Sequence, residues 1–178
     1  MPPSQPAPLV VVMGVSGCGK STVGAALARA VHVVFADGDA LHPAANIAKM
    51  ASGIPLDDED RHPWLDAIGE WLAEHDRQGG VIGCSALKRK YRDQLRSHAP
   101  RVGFLHLHGS FEVIAARQAA RPGHFMPASL LRSQFATLEP LAPDERGVVV
   151  DVDQPVDAIV QEYVDRQVES SHPTTEES

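Results

Sequence analysis

The chain has 178 residues, long enough for one hydrophobic core and short for two domains. Hydrophobic residues make up 43% and charged residues 22%, as in an ordinary soluble globular protein, and no apolar run approaches the roughly 20 residues that span a bilayer. The net charge of -7 speaks against a nucleic-acid partner, although an acidic protein can still carry a locally basic site.

The start, Met1 to Pro8, is Pro-rich and is expected to be extended and flexible; it lacks the basic and apolar regions of a signal peptide. Leu9 to Met13 is a continuous apolar run, as expected of a strand buried on both faces. A glycine-rich turn follows, with a helix from about Lys20 to Ala30, a short strand Val33 to Ala36 and a short helix Pro43 to Met50. Between Pro63 and Arg77, residues Trp64, Leu65, Ile68, Trp71 and Leu72 share one helical face; Pro63 suits the first turn and Gly79-Gly80 the end. Val81 to Cys84 reads as a strand, Leu87 to Ser97 as a helix and Val102 to Leu107 as a strand. Ser110 is placed to cap a helix reaching about Arg121, Ala128 to Leu138 is a further helix, and Val148 to Val152 is the fifth strand. A last helix carries Val156, Ile159, Val160, Tyr163, Val164 and Val168, and the polar tail 170–178 is expected to be disordered. Strands alternating with helices predict an α/β fold of three layers, a five-stranded parallel sheet with helices on both faces. The body, residues 9–169, reads as one domain.

Two cysteines, Cys18 and Cys84, make no disulfide framework, so both are expected reduced and the protein cytoplasmic. Gly14-Val15-Ser16-Gly17-Cys18-Gly19-Lys20-Ser21 fits the pattern G-x-x-x-x-G-K-[ST] in full, between a strand and a helix. Such a loop turns its backbone N–H groups inward at phosphate oxygens, and the helix N-terminus adds positive potential there. Lys20 then reaches the β- and γ-phosphates of ATP, and the Ser21 hydroxyl is placed for Mg²⁺. Cys18 is a small filler whose thiol a helix N-terminus is able to activate. No Asn-Lys-x-Asp motif is present, which argues against a GTPase, and the third strand ends in Cys84-Ser85 rather than in the acid common to many ATPases.

Acids close the second strand instead, as Asp37-Gly38-Asp39. At i and i+2 of an extended chain they share one side, near the ligand crevice of a parallel sheet. One carboxylate is then available to magnesium or a proton, the other to a substrate hydroxyl; the alternative is an exposed Asp-Gly turn.

Asp37-Gly38-Asp39-Ala40-Leu41-His42-Pro43, Asn46 to Met50, Gly53 to Asp58, Asp60-Arg61-His62-Pro63-Trp64-Leu65, Cys84 to Lys88, Tyr91-Arg92-Asp93 and Gly123-His124-Phe125 together resemble the small gluconate kinases. The resemblance runs from about Val11 to Ile159 and implies a fold akin to shikimate and adenylate kinases. It also implies transfer of phosphate from ATP to D-gluconate and, more weakly, a homodimer. By the same likeness Asp37 lies nearer magnesium and Asp39 nearer the substrate. A gluconate acceptor, with one carboxylate and five hydroxyls, needs cations at one end, and Arg61, Lys88 and Arg92 are the candidates. Arg89 and Lys90 read as surface charges. His42 either bonds a substrate hydroxyl or caps the short helix. Arg117 and Arg121, one turn apart before Pro122-Gly123, look like a lid spanning about 117–138, in which one arginine closes over the phosphates and the other packs beside adenine. His124 has no assigned role. Asp153-Gln154-Pro155 is expected beside the adenine, and His106 and His108 are read as structural. The rival readings are the same transfer to shikimate or a nucleoside monophosphate, and a non-catalytic nucleotide switch.

Overall fold

The computed structural model describes residues 7–120 and 128–171. Its strands are β1 (Leu9–Met13), β2 (Val34–Asp37), β3 (Gly80–Gly83), β4 (Gly103–His108) and β5 (Gly147–Asp151). They form one parallel sheet in the order β2-β3-β1-β4-β5. The helices are α1 (Lys20–Val31), α2 (Ala44–Ala51), α3 (Asp58–Glu74), α4 (Arg89–His98), α5 (Phe111–Ala119), α6 (Ala128–Thr137) and α7 (Val156–Ser171).

The alternation of side chains along β1 divides the core into two layers. Val10 and Val12 join Leu27, Leu105, Leu107, Ile114, Val150 and Ile159 under α1, α5 and α7. Leu9, Val11 and Met13 face the other way, onto Trp64, Leu65, Ile68, Leu72 and Leu95 of α3 and α4. Every β1 residue is buried, which is why its sequence is apolar throughout rather than alternating. The chain runs from β1 to one side of the sheet through β2 and β3, then crosses to the other side for β4 and β5. That reversal opens a crevice at the carboxyl end of β1, where ligands bind in such sheets.

Three expectations are corrected. The helix predicted to start at Pro63 starts at Asp58. Asp57 accepts from the Asp60 N–H at 2.8 Å and the Asp60 carboxylate accepts from the Asp57 N–H at 3.0 Å. This reciprocal cap, with an acidic first turn set against the helix dipole, outweighs the proline, which lies inside the helix. Ala7 and Pro8, expected to be flexible, are tied down: Gly80 N–H donates to the Pro8 carbonyl at 2.9 Å and Arg101 to the Ala7 carbonyl at 2.8 Å. At the other end α7 continues to Ser171, past the predicted limit of order. Among the described residues no helix is long and apolar enough to cross a membrane.

Candidate active site

The phosphate loop leaves β1 with Gly14, Gly17 and Gly19 all at positive φ (146°, 84° and 96°). Gly14 has no space for a side chain either, because a Cβ there would lie 2.7 Å from Cys18 Sγ and 2.9 Å from the Leu107 carbonyl. Its N–H donates to the Ser85 carbonyl at 3.2 Å, which fastens the loop to the end of β3. The next residue, Ala86, holds φ 44°, a costly conformation for a residue with a Cβ, at the point where the chain turns from β3 toward Lys88. Lys20 folds back to donate to the Gly14 and Val15 carbonyls at 3.0 and 3.1 Å. Ser21 is exposed in the first turn of α1. Cys18 is the filler expected of it, but its thiol is not activated: burial pushes its pKa up, against the opposing pull of Lys20. Cys84, buried beneath the same site, is pushed up to about 12 for the same reason.

The predicted lid reaches the loop through two glutamines. Gln134 of α6 accepts from the Ser16 N–H at 2.6 Å, and Gln118 of α5 donates to the Ser16 carbonyl at 2.8 Å. Neither was legible in the sequence, since a polar residue on an amphipathic helix carries no signal of its partner. Arg117 donates to the Val152 carbonyl, which sets it beside the loop after β5. Gln154 in that loop bonds the Asp151 carbonyl at 2.8 Å and Glu162 at 3.3 Å. Arg121 and Gly123-His124-Phe125 lie outside the described residues.

The acid pair stands at the end of β2, but not as an extended strand. Gly38–Leu41 forms a 3-10 turn, with Asp37 capping it by accepting from the Asp39 N–H at 3.0 Å. The premise that both acids point one way from an extended chain is therefore replaced by a turn that brings Asp39 round above Asp37; both residues remain exposed. Gly38 is required sterically, because a Cβ would meet the Gly83 carbonyl at 2.2 Å. Trp64 Nε1 donates to the Gly38 carbonyl at 2.8 Å, joining this turn to α3.

Two of the three predicted cations come together. Arg61 lies 5.4 Å and Lys88 5.7 Å from the centre of the Tyr91 ring. Arg61 also donates to the Leu56 carbonyl at 3.0 Å and to the Tyr91 hydroxyl at 3.2 Å. The Tyr91 hydroxyl in turn donates to Asp58, whose carboxylate is 3.6 Å from Lys88 Nζ and paired with Lys90. Lys90, read as a surface charge, thus closes α4 onto the start of α3. His42 stacks on Trp64 at 4.2 Å, and the charges of Asp39 and Arg61 both act on it. Burial nevertheless dominates and lowers its pKa.

Arg92 does not belong to this group. It is wholly buried, donating to Glu145 at 2.7 and 3.0 Å, to the Ala86 carbonyl at 2.9 Å and to the Pro140 carbonyl at 3.4 Å. Its place as a substrate ligand is corrected to a structural one. It braces the loop before Lys88 against the segment between α6 and β5.

A glycine-lined phosphate loop at the switch point of a parallel sheet, facing a second cluster of acids and cations, defines a P-loop phosphotransferase. The shikimate kinase family model matches residues 16–167. The thermoresistant gluconokinase of Escherichia coli is 48% identical over 155 residues, covering 85% of this chain and 89% of that protein. The crystal structure of a gluconokinase from Sinorhizobium meliloti superposes with a TM-score of 0.84 at 52% identity, covering 93% of this chain and 98% of that one. A shikimate kinase from Aquifex aeolicus shares the fold, at a TM-score of 0.59 and 17% identity. The chain belongs to the shikimate kinase family of P-loop kinases and, within it, to the gluconokinases.

Proposed function

We propose that the chain transfers the γ-phosphoryl group of ATP to the 6-hydroxyl of D-gluconate, giving 6-phospho-D-gluconate and ADP. The observation that carries this reading is the joint presence of 48–52% identity to gluconokinases and a pair of cations, Arg61 and Lys88, held over Tyr91, with Arg61 acting together with Asp39 on His42. A nucleoside monophosphate acceptor calls for several arginines around its phosphate. This site instead offers one arginine, one lysine, carboxylates and an imidazole, which suit a sugar acid.

The phosphate loop binds the triphosphate through backbone N–H groups and Lys20. On binding, Lys20 exchanges the Gly14 and Val15 carbonyls for phosphate oxygens. Ser21 and Asp37 are hard oxygen donors at the crevice and would hold a magnesium ion. Such an ion would supply positive charge against that of the triphosphate. Arg61 and Lys88 hold the gluconate carboxylate, which orients the opposite end of the sugar acid toward the γ-phosphate. Asp39 accepts the proton of the attacking hydroxyl as its oxygen bonds to the γ-phosphorus and the bond to ADP breaks. Arg117, beside the loop that carries Gln154, packs near the adenine.

The test is a coupled ADP-release assay with gluconate, shikimate, glucose and AMP as acceptors. Gluconate should be preferred; comparable turnover with AMP would favour a nucleotide kinase, and ADP release without any acceptor would favour a switch.

A further inference from the structure

His42 borders the acceptor cluster, and its chemical role depends on which ring nitrogen carries the proton. The structure determines this through Asn46, a residue that is 3% exposed on α2. The Asn46 side chain lies 2.8 Å from the main-chain carbonyl of Asp60 and 3.2 Å from His42 Nδ1. A carbonyl only accepts, so the atom facing it is the amide nitrogen, Nδ2. That same nitrogen faces His42 Nδ1, and its second hydrogen points there. Nδ1 must therefore supply a lone pair, and the proton of the neutral ring sits on Nε2. The opposite tautomer would set two donors against each other at a half-buried contact.

The ring has little freedom to escape this assignment. It lies nearly parallel to Trp64, at 12° and 4.2 Å, and Trp64 is itself held by its bond to the Gly38 carbonyl. Asn46 is anchored by Asp60, which also pairs with Lys49 of α2 at 2.7 Å. The charged groups acting on the ring are Asp39 and Arg61, on opposite sides of the electrostatic balance, and burial favours the neutral form.

We propose that Asn46 is a positioning residue for the acceptor site, holding His42 as the neutral Nε2–H imidazole so that it donates a hydrogen bond to an acceptor oxygen and takes no proton from one. Both ring nitrogens are then accounted for: Nδ1 is occupied by Asn46 and Nε2 already bears hydrogen. His42 is excluded as the base, and proton acceptance falls to the carboxylates of the Asp37-Gly38-Asp39 turn. The inference rests on the acceptor site described above, but its first readout does not depend on activity.

Long-range ¹H–¹⁵N correlation spectra of the ¹⁵N-histidine-labelled protein at neutral pH report the tautomer of His42 directly, with His42→Gln used to assign its signals. A neutral ring protonated at Nε2 is expected; protonation at Nδ1, or an imidazolium, overturns the proposal. Asn46→Asp replaces the donor with a carboxylate, which favours a proton on Nδ1. It should raise the His42 pKa in an NMR titration and, at a pH above that raised pKa where the ring is neutral, raise the KM for gluconate about tenfold, the worth of one hydrogen bond, with the KM for ATP within about twofold. A changed tautomer with an unchanged gluconate KM overturns the functional half. His42→Gln and His42→Asn keep the test open should Asn46→Asp not fold. A glutamine amide reaches the Nε2 position and an asparagine amide only the Nδ1 position, so His42→Gln should retain more gluconate-dependent activity. Equal or greater activity in His42→Asn overturns the donor role. Absence of gluconate turnover in the unmodified protein would count against the substrate while leaving the tautomer measurement to stand or fall alone.

Discussion

Glu145→Gln is the perturbation that most directly separates structure from function in this protein. The Glu145 carboxylate accepts from Arg92 Nε at 2.7 Å, Arg92 Nη2 at 3.0 Å, Arg96 Nη2 at 2.8 Å and the Ala142 N–H at 2.8 Å. Its side chain is 1% exposed and that of Arg92 is 0% exposed. Glutamine removes the charge and turns one acceptor into a donor facing arginine. The uncompensated buried guanidinium should cost about 3–5 kcal/mol. The pH dependence expected from Glu145 points the same way. Hydrogen bonds and charge from the two arginines and the Ala142 N–H hold the Glu145 pKa down to about 2 from 4.5, in spite of burial. A depressed carboxyl stabilises the fold fully above 4.5 and loses that contribution as pH falls through 2. The span corresponds to about 3 kcal/mol. For a chain of this length such a loss lowers Tm by roughly 10 °C at pH 7. Thermal unfolding followed by circular dichroism at pH 7, and urea titrations in steps from pH 5 to 2, measure both effects. The difference between the two proteins should shrink across that acid window. At 25 °C the folded variant should keep its gluconate KM within about threefold, because Arg92 holds a loop rather than the acceptor. A Tm shift below about 2 °C together with a large rise in gluconate KM would refute the reasoning and return Arg92 to the substrate.

Lys20→Ala should lose nearly all turnover while its circular dichroism and Tm stay near those of the unmodified protein, and wild-type rates would remove the phosphate-loop assignment. Asp39→Asn should lower kcat by roughly 10²–10⁴-fold with little change in ATP affinity, whereas the loss in Asp37→Asn should be partly offset by raised Mg²⁺. A magnesium titration that rescues the Asp39 variant instead would reverse the two roles. Gly38→Ala forces a Cβ to within 2.2 Å of the Gly83 carbonyl, so the β2 end must shift and drag the acid pair with it. It should cost about 1–3 kcal/mol and lower kcat, and a neutral result in chemical denaturation would show that the turn has slack.

The strand pattern and the phosphate loop were readable from local sequence because both are local properties. A strand buried on both faces must be apolar throughout, as β1 is. A loop that cradles phosphate needs glycines at fixed spacing, as at Gly14 and Gly19, followed by Lys20 and Ser21. The acid pair and the cations Arg61 and Lys88 were readable as chemistry, and the likeness to gluconate kinases supplied their substrate. Other features depend on which side chains meet across long sequence separations. Arg92 and Lys88 look alike as cations on one basic run, and only the approach of Glu145 from beyond α6 buries one and leaves the other available. The start of α3 was missed for a local reason, a reciprocal cap between Asp57 and Asp60 that the proline inside the helix concealed. Ser16 meets Gln118 and Gln134 more than a hundred residues away, and Asn46 meets the Asp60 carbonyl only because α2 comes against the start of α3. Composition and periodicity report how a segment treats water. They do not report which polar group satisfies which, and in this protein that pairing decides whether a charged or polar residue serves the substrate or the fold.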